Sequence, residues 1–102
     1  MSDSNQLEVV PPSCTATEVD LATDTDVHVS DVPSVLLGVY VKVVLSANDC
    51  NINNGDTTVI TLPSQMAAGL NMHCYNTEFS ESIIVESNDS ATGKIVVFWR
   101  AV

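Results

Sequence analysis

Basic residues are almost missing from this chain. Three Lys and Arg stand against 13 Asp and Glu in 102 residues, a formal charge of −10. Residues 1–33 hold no base at all, yet carry seven acids: Asp3, Glu8, Glu18, Asp20, Asp24, Asp26 and Asp31. Such a balance repels nucleic-acid phosphates and anionic lipid surfaces and suits a basic protein partner. The three bases, Lys42, Lys94 and Arg100, form no cluster, so neither a nucleic-acid nor a membrane partner is expected. Long apolar runs are also lacking. The longest, Val35 to Leu45, is interrupted by Gly38, Tyr40 and Lys42, far short of the ~20 residues a membrane helix needs. No cationic segment precedes an apolar one, so no secretory signal is expected. Cysteines are few and odd in number (Cys14, Cys50, Cys74), unlike a secreted disulfide scaffold, and reduced thiols are the expectation.

What is present is β grammar. From Ser34 onward, short β-branched runs alternate with turn residues, and no amphipathic helix of useful length occurs. Ser34 to Ser46 is the strongest strand, with Val35, Leu37, Val39, Val41, Val43 and Leu45 on one apolar face and Gly38 marking either a bulge or a close backbone approach. Asn53-Asn54-Gly55-Asp56 predicts a hairpin built on an Asn-Gly type I′ turn, with Thr57 to Leu62 returning to Pro63. Leu70, Met72 and Cys74 alternate with Asn71, His73 and Tyr75 as a half-buried strand. Residues 77–82 are polar, and a strand surrounds Ile83-Ile84-Val85. Lys94 to Val102 closes the chain, with Ile95, Val97, Trp99 and Ala101 opposite Val96, Phe98 and Arg100. Both faces of that last strand are apolar, so one fills the core and the other asks for cover.

The first third lacks this sustained pattern; beyond a brief alternation at Val27-His28-Val29 it reads as an extended arm with one or two short strands. The expectation is an all-β protein: a small antiparallel β-sandwich or barrel (residues 34–102) with an extended acidic N-terminal arm (residues 1–33). A core of about 70 residues is marginal alone, which predicts a homo-oligomer. Candidate interface residues are the apolar anchors of the arm, Leu7, Val9, Val10, Val27 and Val29, together with Phe98, Trp99 and Arg100 on the last strand, where Trp and Arg suit interface anchorage.

Catalytic and metal constellations are thin. His73 and Cys74 are neighbours on a strand and point to opposite faces, so they cannot share an ion; Cys74 reads as core and His73 as surface. Asp20, Asp24 and Asp26 lack the glycine and later glutamate of a calcium loop. Glu78 and Glu81 flank Phe79-Ser80 without a cleft to act in. No serine sits in a nucleophile elbow and neither histidine has triad-like spacing. Neither catalysis nor a cofactor is expected.

Four stretches carry a resemblance: residues 32–47, beginning Val32-Pro33-Ser34-Val35; Asn54-Gly55-Asp56-Thr57 to Pro63; Ala67-Ala68-Gly69-Leu70; and Ser90-Ala91-Thr92-Gly93-Lys94 to Trp99. Together they resemble small β-rich virion structural proteins of tailed bacteriophages, of the head decoration (cement) or tail and spike-base type. The resemblance implies a non-enzymatic virion protein, assembled in the host cytoplasm, that trimerises and binds the major capsid protein or another virion protein. A tail, fibre or spike-base component is the alternative within that class. A free-standing β-sandwich module for carbohydrate or a surface protein is the alternative outside it.

Overall fold

The computed structural model describes residues 14–23, 26–46, 49–88 and 90–102. The described residues form eight strands: β1 (Thr15–Asp20), β2 (Asp26–Ser30), β3 (Ser34–Val43), β4 (Cys50–Asn54), β5 (Thr57–Leu62), β6 (Asn71–Phe79), β7 (Ile83–Glu86) and β8 (Lys94–Ala101). Their pairing has a simple order. β4 pairs with β5, β3 with β6, β2 with β7 and β1 with β8, all antiparallel. The described chain is therefore one long hairpin, folded at Gly55-Asp56. Rolling that hairpin adds the β3–β8 and β4–β7 pairs and divides the strands into two sheets, β1-β8-β3-β6 and β2-β7-β4-β5. Eight antiparallel strands wound in this order are a jelly roll.

This topology corrects the expected arm. Residues 15–20 pair along their whole length with β8, from Thr15 opposite Trp99 to Asp20 opposite Lys94. Residues 26–30 pair with β7. Val19, Leu21 and Val29 lie buried in the common core, so the sandwich begins at β1 rather than at residue 34. Edge strands bond to one neighbour only and need few inward side chains. That is why the Thr, Asp and Glu of this segment left its strands weakly marked and their place in the sandwich unread. Leu7, Val9 and Val10 fall outside the described residues.

The core between the sheets is aliphatic, built from Leu36, Val39, Val41, Ile52, Leu62, Ile83, Val85, Ile95 and Val97 around Phe79. Two bulges decide which residues reach it. In β3, Leu36 and Gly38 take successive places in the ladder and Leu37 is extra. The extra residue reverses the alternation, because side chains repeat every two positions. Leu36 points inward before the bulge and Val39 and Val41 after it, whereas Leu37 stays half exposed and Val43 is exposed. The single apolar face expected from Val35 to Leu45 is therefore split. In β6, Cys74, Tyr75 and Asn76 stand between the paired residues His73 and Thr77. That larger bulge carries Met72 and Cys74, then Phe79, to the inside, so the polar stretch 77–82 delivers a fully buried aromatic.

The hairpin tip also differs in detail. Asn54 pairs with Thr57, so Gly55 and Asp56 are the two central turn residues. Gly55 has φ 59°, while Asp56 is not at positive φ, which fits a type II′ turn rather than the expected Asn-Gly type I′. Asn54 then does a different job: its Oδ1 accepts the Glu81 N–H at 2.9 Å, and its Nδ2 donates to Ser80 Oγ at 3.1 Å. The tip is thereby tied to the β6–β7 turn. At the other end Gly93, at φ 111°, lies so close to the chain that a Cβ would stand 2.7 Å from the Val44 carbonyl oxygen. Its own carbonyl accepts the Leu21 N–H at 3.0 Å.

Candidate functional site

The outer faces of the two sheets are built from the residues that alternate with the core, and they differ in chemistry. On the first sheet, register places Ala16, Phe98, Gly38 and His73 in one row and Glu18, Val96, Tyr40 and Asn71 in the next. Phe98, Leu37, Val96 and Tyr40 are all half-buried there. Cys14, Leu37, Asn71, His73 and Phe98 surround a shallow apolar depression of about 250 Å³. Beside it stands Tyr75, 90 % exposed, with its ring centroid 6.3 Å from that of His73. Tyr75 has φ 51° and Asn76 φ 56°. Left-handed backbone is unfavourable for a bulky side chain, costing of order 1–3 kcal/mol per residue, and such strain gathers at functional sites.

The candidate interface residues are dispersed by the fold. Phe98 and Arg100 lie on this outer face, with Arg100 opposite Val35. Trp99, their neighbour, points the other way and packs against the core, its Nε1–H donating to Thr17 Oγ1 at 3.0 Å. Val29 is a core residue and Val27 packs against the core from β2. Neither offers a free anchor. His73 and Cys74 do lie on opposite sides, exposed and buried respectively.

On the second sheet, Asp26, Glu86, Asn51 and Thr61 form one row and His28, Ile84, Asn53 and Thr58 the next. Two depressions of about 310 and 420 Å³ meet at Glu86. Asp26, Asn53, Asp56 and Ile84 line the first, Asp49, Asn51 and Asn88 the second. His28 is engaged at the rim, its Nδ1 lying 2.7 Å from Asp31 Oδ1. Asn53 is only 7 % exposed. Its Nδ2 donates to Glu86 Oε1 at 3.2 Å, while its Oδ1 is buried without a hydrogen-bond partner. Sequence spacing could not reveal this trough, since its residues come from four strands, two of them distant in sequence from the other pair. The available signal was the recurrence of polar Asn51, Asn53, Thr58 and Thr61 in a segment without a base.

Asp20 takes no part in it. Its Oδ1 accepts the Ala22 N–H at 3.0 Å in the turn after β1. Asp24 lies outside the described residues. Among the described residues no three His, Cys, Asp or Glu converge as a metal cage. Glu78 lies on the first sheet opposite Val35, and Glu81 sits in the β6–β7 turn beside Gly55. The three cysteines are free thiols. Burial, with the Glu86 charge adding to it, pushes the Cys50 thiol up to about 12, and burial raises Cys74 as well. Both are poor nucleophiles, because the thiolate is the reactive form.

No protein-family model, curated protein or solved structure matches this chain.

Proposed function

We propose that this chain is a non-enzymatic virion structural protein, a capsid decoration protein that binds the major capsid lattice through the outer face of the β1-β8-β3-β6 sheet. The observation that carries the reading is the apolar surface of Phe98, Leu37 and Val96, bordered by the protruding, strained Tyr75. Aromatics at the centre of such a patch, with an arginine beside them, are the usual anchors of a protein interface. The jelly-roll architecture adds support from fold alone, since it recurs in viral capsid and lectin domains. The alternative, a tail, fibre or spike-base component, uses the same face on a different assembly.

The test is co-expression with the products of the genes encoded beside this one, followed by sedimentation. The expected result is co-sedimentation with shell-sized particles at fixed stoichiometry, lost in Phe98→Asp. Sedimentation with tail-length assemblies would select the alternative. A monomer that follows no assembly would overturn the reading.

A further inference from the structure

All three bases lie on the first sheet: Lys42 on β3, Lys94 and Arg100 on β8. Lys42 is also paired there, with Glu18 at 2.6 Å. The trough on the second sheet has Asp26, Asp49, Asp56 and Glu86 and no cation of its own apart from His28, which already faces Asp31. Carboxylates alone would mean little, as they are usually solvated. Here a second observation points to a ligand: Asn53, nine-tenths buried in the trough wall, holds an acceptor oxygen that nothing satisfies. Buried polar atoms are almost always paired, and an exception asks for an explanation, of which a donor brought by a ligand is one.

We infer that the trough across the β2-β7-β4-β5 sheet is a receptor for arginine side chains on a basic segment of a partner protein. The surface presents acceptors with negative charge, so the ligand must bring donors with positive charge. A compact metal ion needs three or more ligands at one point, which the spread of these groups does not give. Guanidinium does not. Its five N–H donors lie in a flat fork and can serve a carboxylate and a neighbouring amide oxygen together. The half-buried Ile84 between His28 and Asn53 gives an apolar floor for the methylenes of the side chain, whose stem packs on such surfaces while its head stays polar. A neutral saccharide would leave four carboxylates uncompensated, and no Phe, Tyr or Trp lines the trough for a sugar ring to stack on. The inference does not depend on the virion reading, because the two sheets are separate surfaces.

The experiment uses the full chain and a fluorescein-labelled peptide of alternating Gly and Arg, read by anisotropy, with backbone amide shifts to locate binding. Glu86→Gln and, separately, Asp26→Asn are expected to weaken binding about tenfold each, the scale of losing one charge-assisted pair. Glu78→Gln makes the same charge change on the other sheet and is expected to alter it less than about twofold. The matching Gly-Lys peptide should bind more weakly than the arginine form. Equal losses in Glu86→Gln and Glu78→Gln would reduce the effect to diffuse attraction by an acidic protein and overturn the proposal. So would trough amide shifts caused by calcium chloride or a maltose oligosaccharide but not by the arginine peptide. Circular dichroism of each variant keeps a folding defect from passing as lost binding.

Discussion

The two sheets of this jelly roll are alike inside and opposite outside. Their inner faces share one vocabulary of Val, Ile and Leu. Outside, β1-β8-β3-β6 has apolar groups and every base of the chain, while β2-β7-β4-β5 has carboxylates, amides and threonines. The shared half of the pattern makes the fold, since burial is non-directional and any well-sized aliphatic side chain serves. The unshared half makes the surfaces. A substitution on an inner face should therefore harm both surfaces together, and one on an outer face should harm only its own.

The largest expected effect comes from removing part of the shared half. Deleting residues 1–30 takes away β1 and β2, one edge strand from each sheet, and with them the buried Val19, Leu21 and Val29. Burying such a side chain is worth about 1.5–3 kcal/mol, so losing three removes about 4.5–9 kcal/mol, comparable with the whole margin of a small domain. The truncated chain should lose its cooperative thermal transition by circular dichroism. A folded 31–102 fragment would restore the arm and refute the topology.

A turn substitution ranks next. Gly55→Val puts a branched side chain at φ 59°, against the Glu81 carboxylate, at the tip joining the two halves of the hairpin. The loss should be ~1–2 kcal/mol, seen as a lower melting temperature. An unchanged transition would mean that the tip lies elsewhere.

How much of this was readable in the chain depends on how many neighbours each strand has. β8 lies between β1 and β3, and its alternation of Ile95, Val97 and Trp99 with Val96, Phe98 and Arg100 is plain in the sequence. β4 and β5 announce themselves through the glycine turn. β1 was illegible and β2 showed only as the brief alternation Val27-His28-Val29, because an edge strand with one or two buried residues looks like polar linker. Alternation also fails where a bulge intervenes. The extra Leu37 and the inserted 74–76 segment change which residues face the core, and nothing in local composition signals either shift. Phe98 was legible as an apolar group on a face of the last strand that asks for cover. Asn53 was not, since its unpaired oxygen arises only from neighbours on β5 and β7.

A smaller effect on stability, with a large one on association, is expected from Phe98→Asp. Its side chain stands outside the core, so the melting temperature should shift by less than the equivalent of ~1 kcal/mol. Sedimentation should show the loss of self-association or of partner binding. If the variant unfolds instead, the outer face of the first sheet is part of the fold, and the contrast between the sheets weakens.

The smallest effect concerns the contact that keeps a base on its own sheet. Lys42 Nζ donates to Glu18 Oε1 at 2.6 Å across the outer face of β1-β8-β3-β6. This hydrogen bond and the attraction between the charges hold the Glu18 carboxyl below its ordinary 4.5 and raise Lys42 above 10.5. Because the folded carboxyl is the stronger acid, its contribution to stability is full above about pH 4.5 and is lost as pH falls through the lower native value. Because the folded ammonium is the weaker acid, its contribution is full below about pH 10.5 and is lost as pH rises through the higher native value. Both groups are largely exposed, so the melting temperature should change little and less still in high salt. The titration itself is the sharper measure. Carboxyl resonances of Glu18 should move at lower pH in the native chain than in Lys42→Met, where the midpoint should return toward 4.5. Equal midpoints would mean that Lys42 is free to answer carboxylates elsewhere, and the second sheet could no longer be treated as the one whose charges wait for a partner.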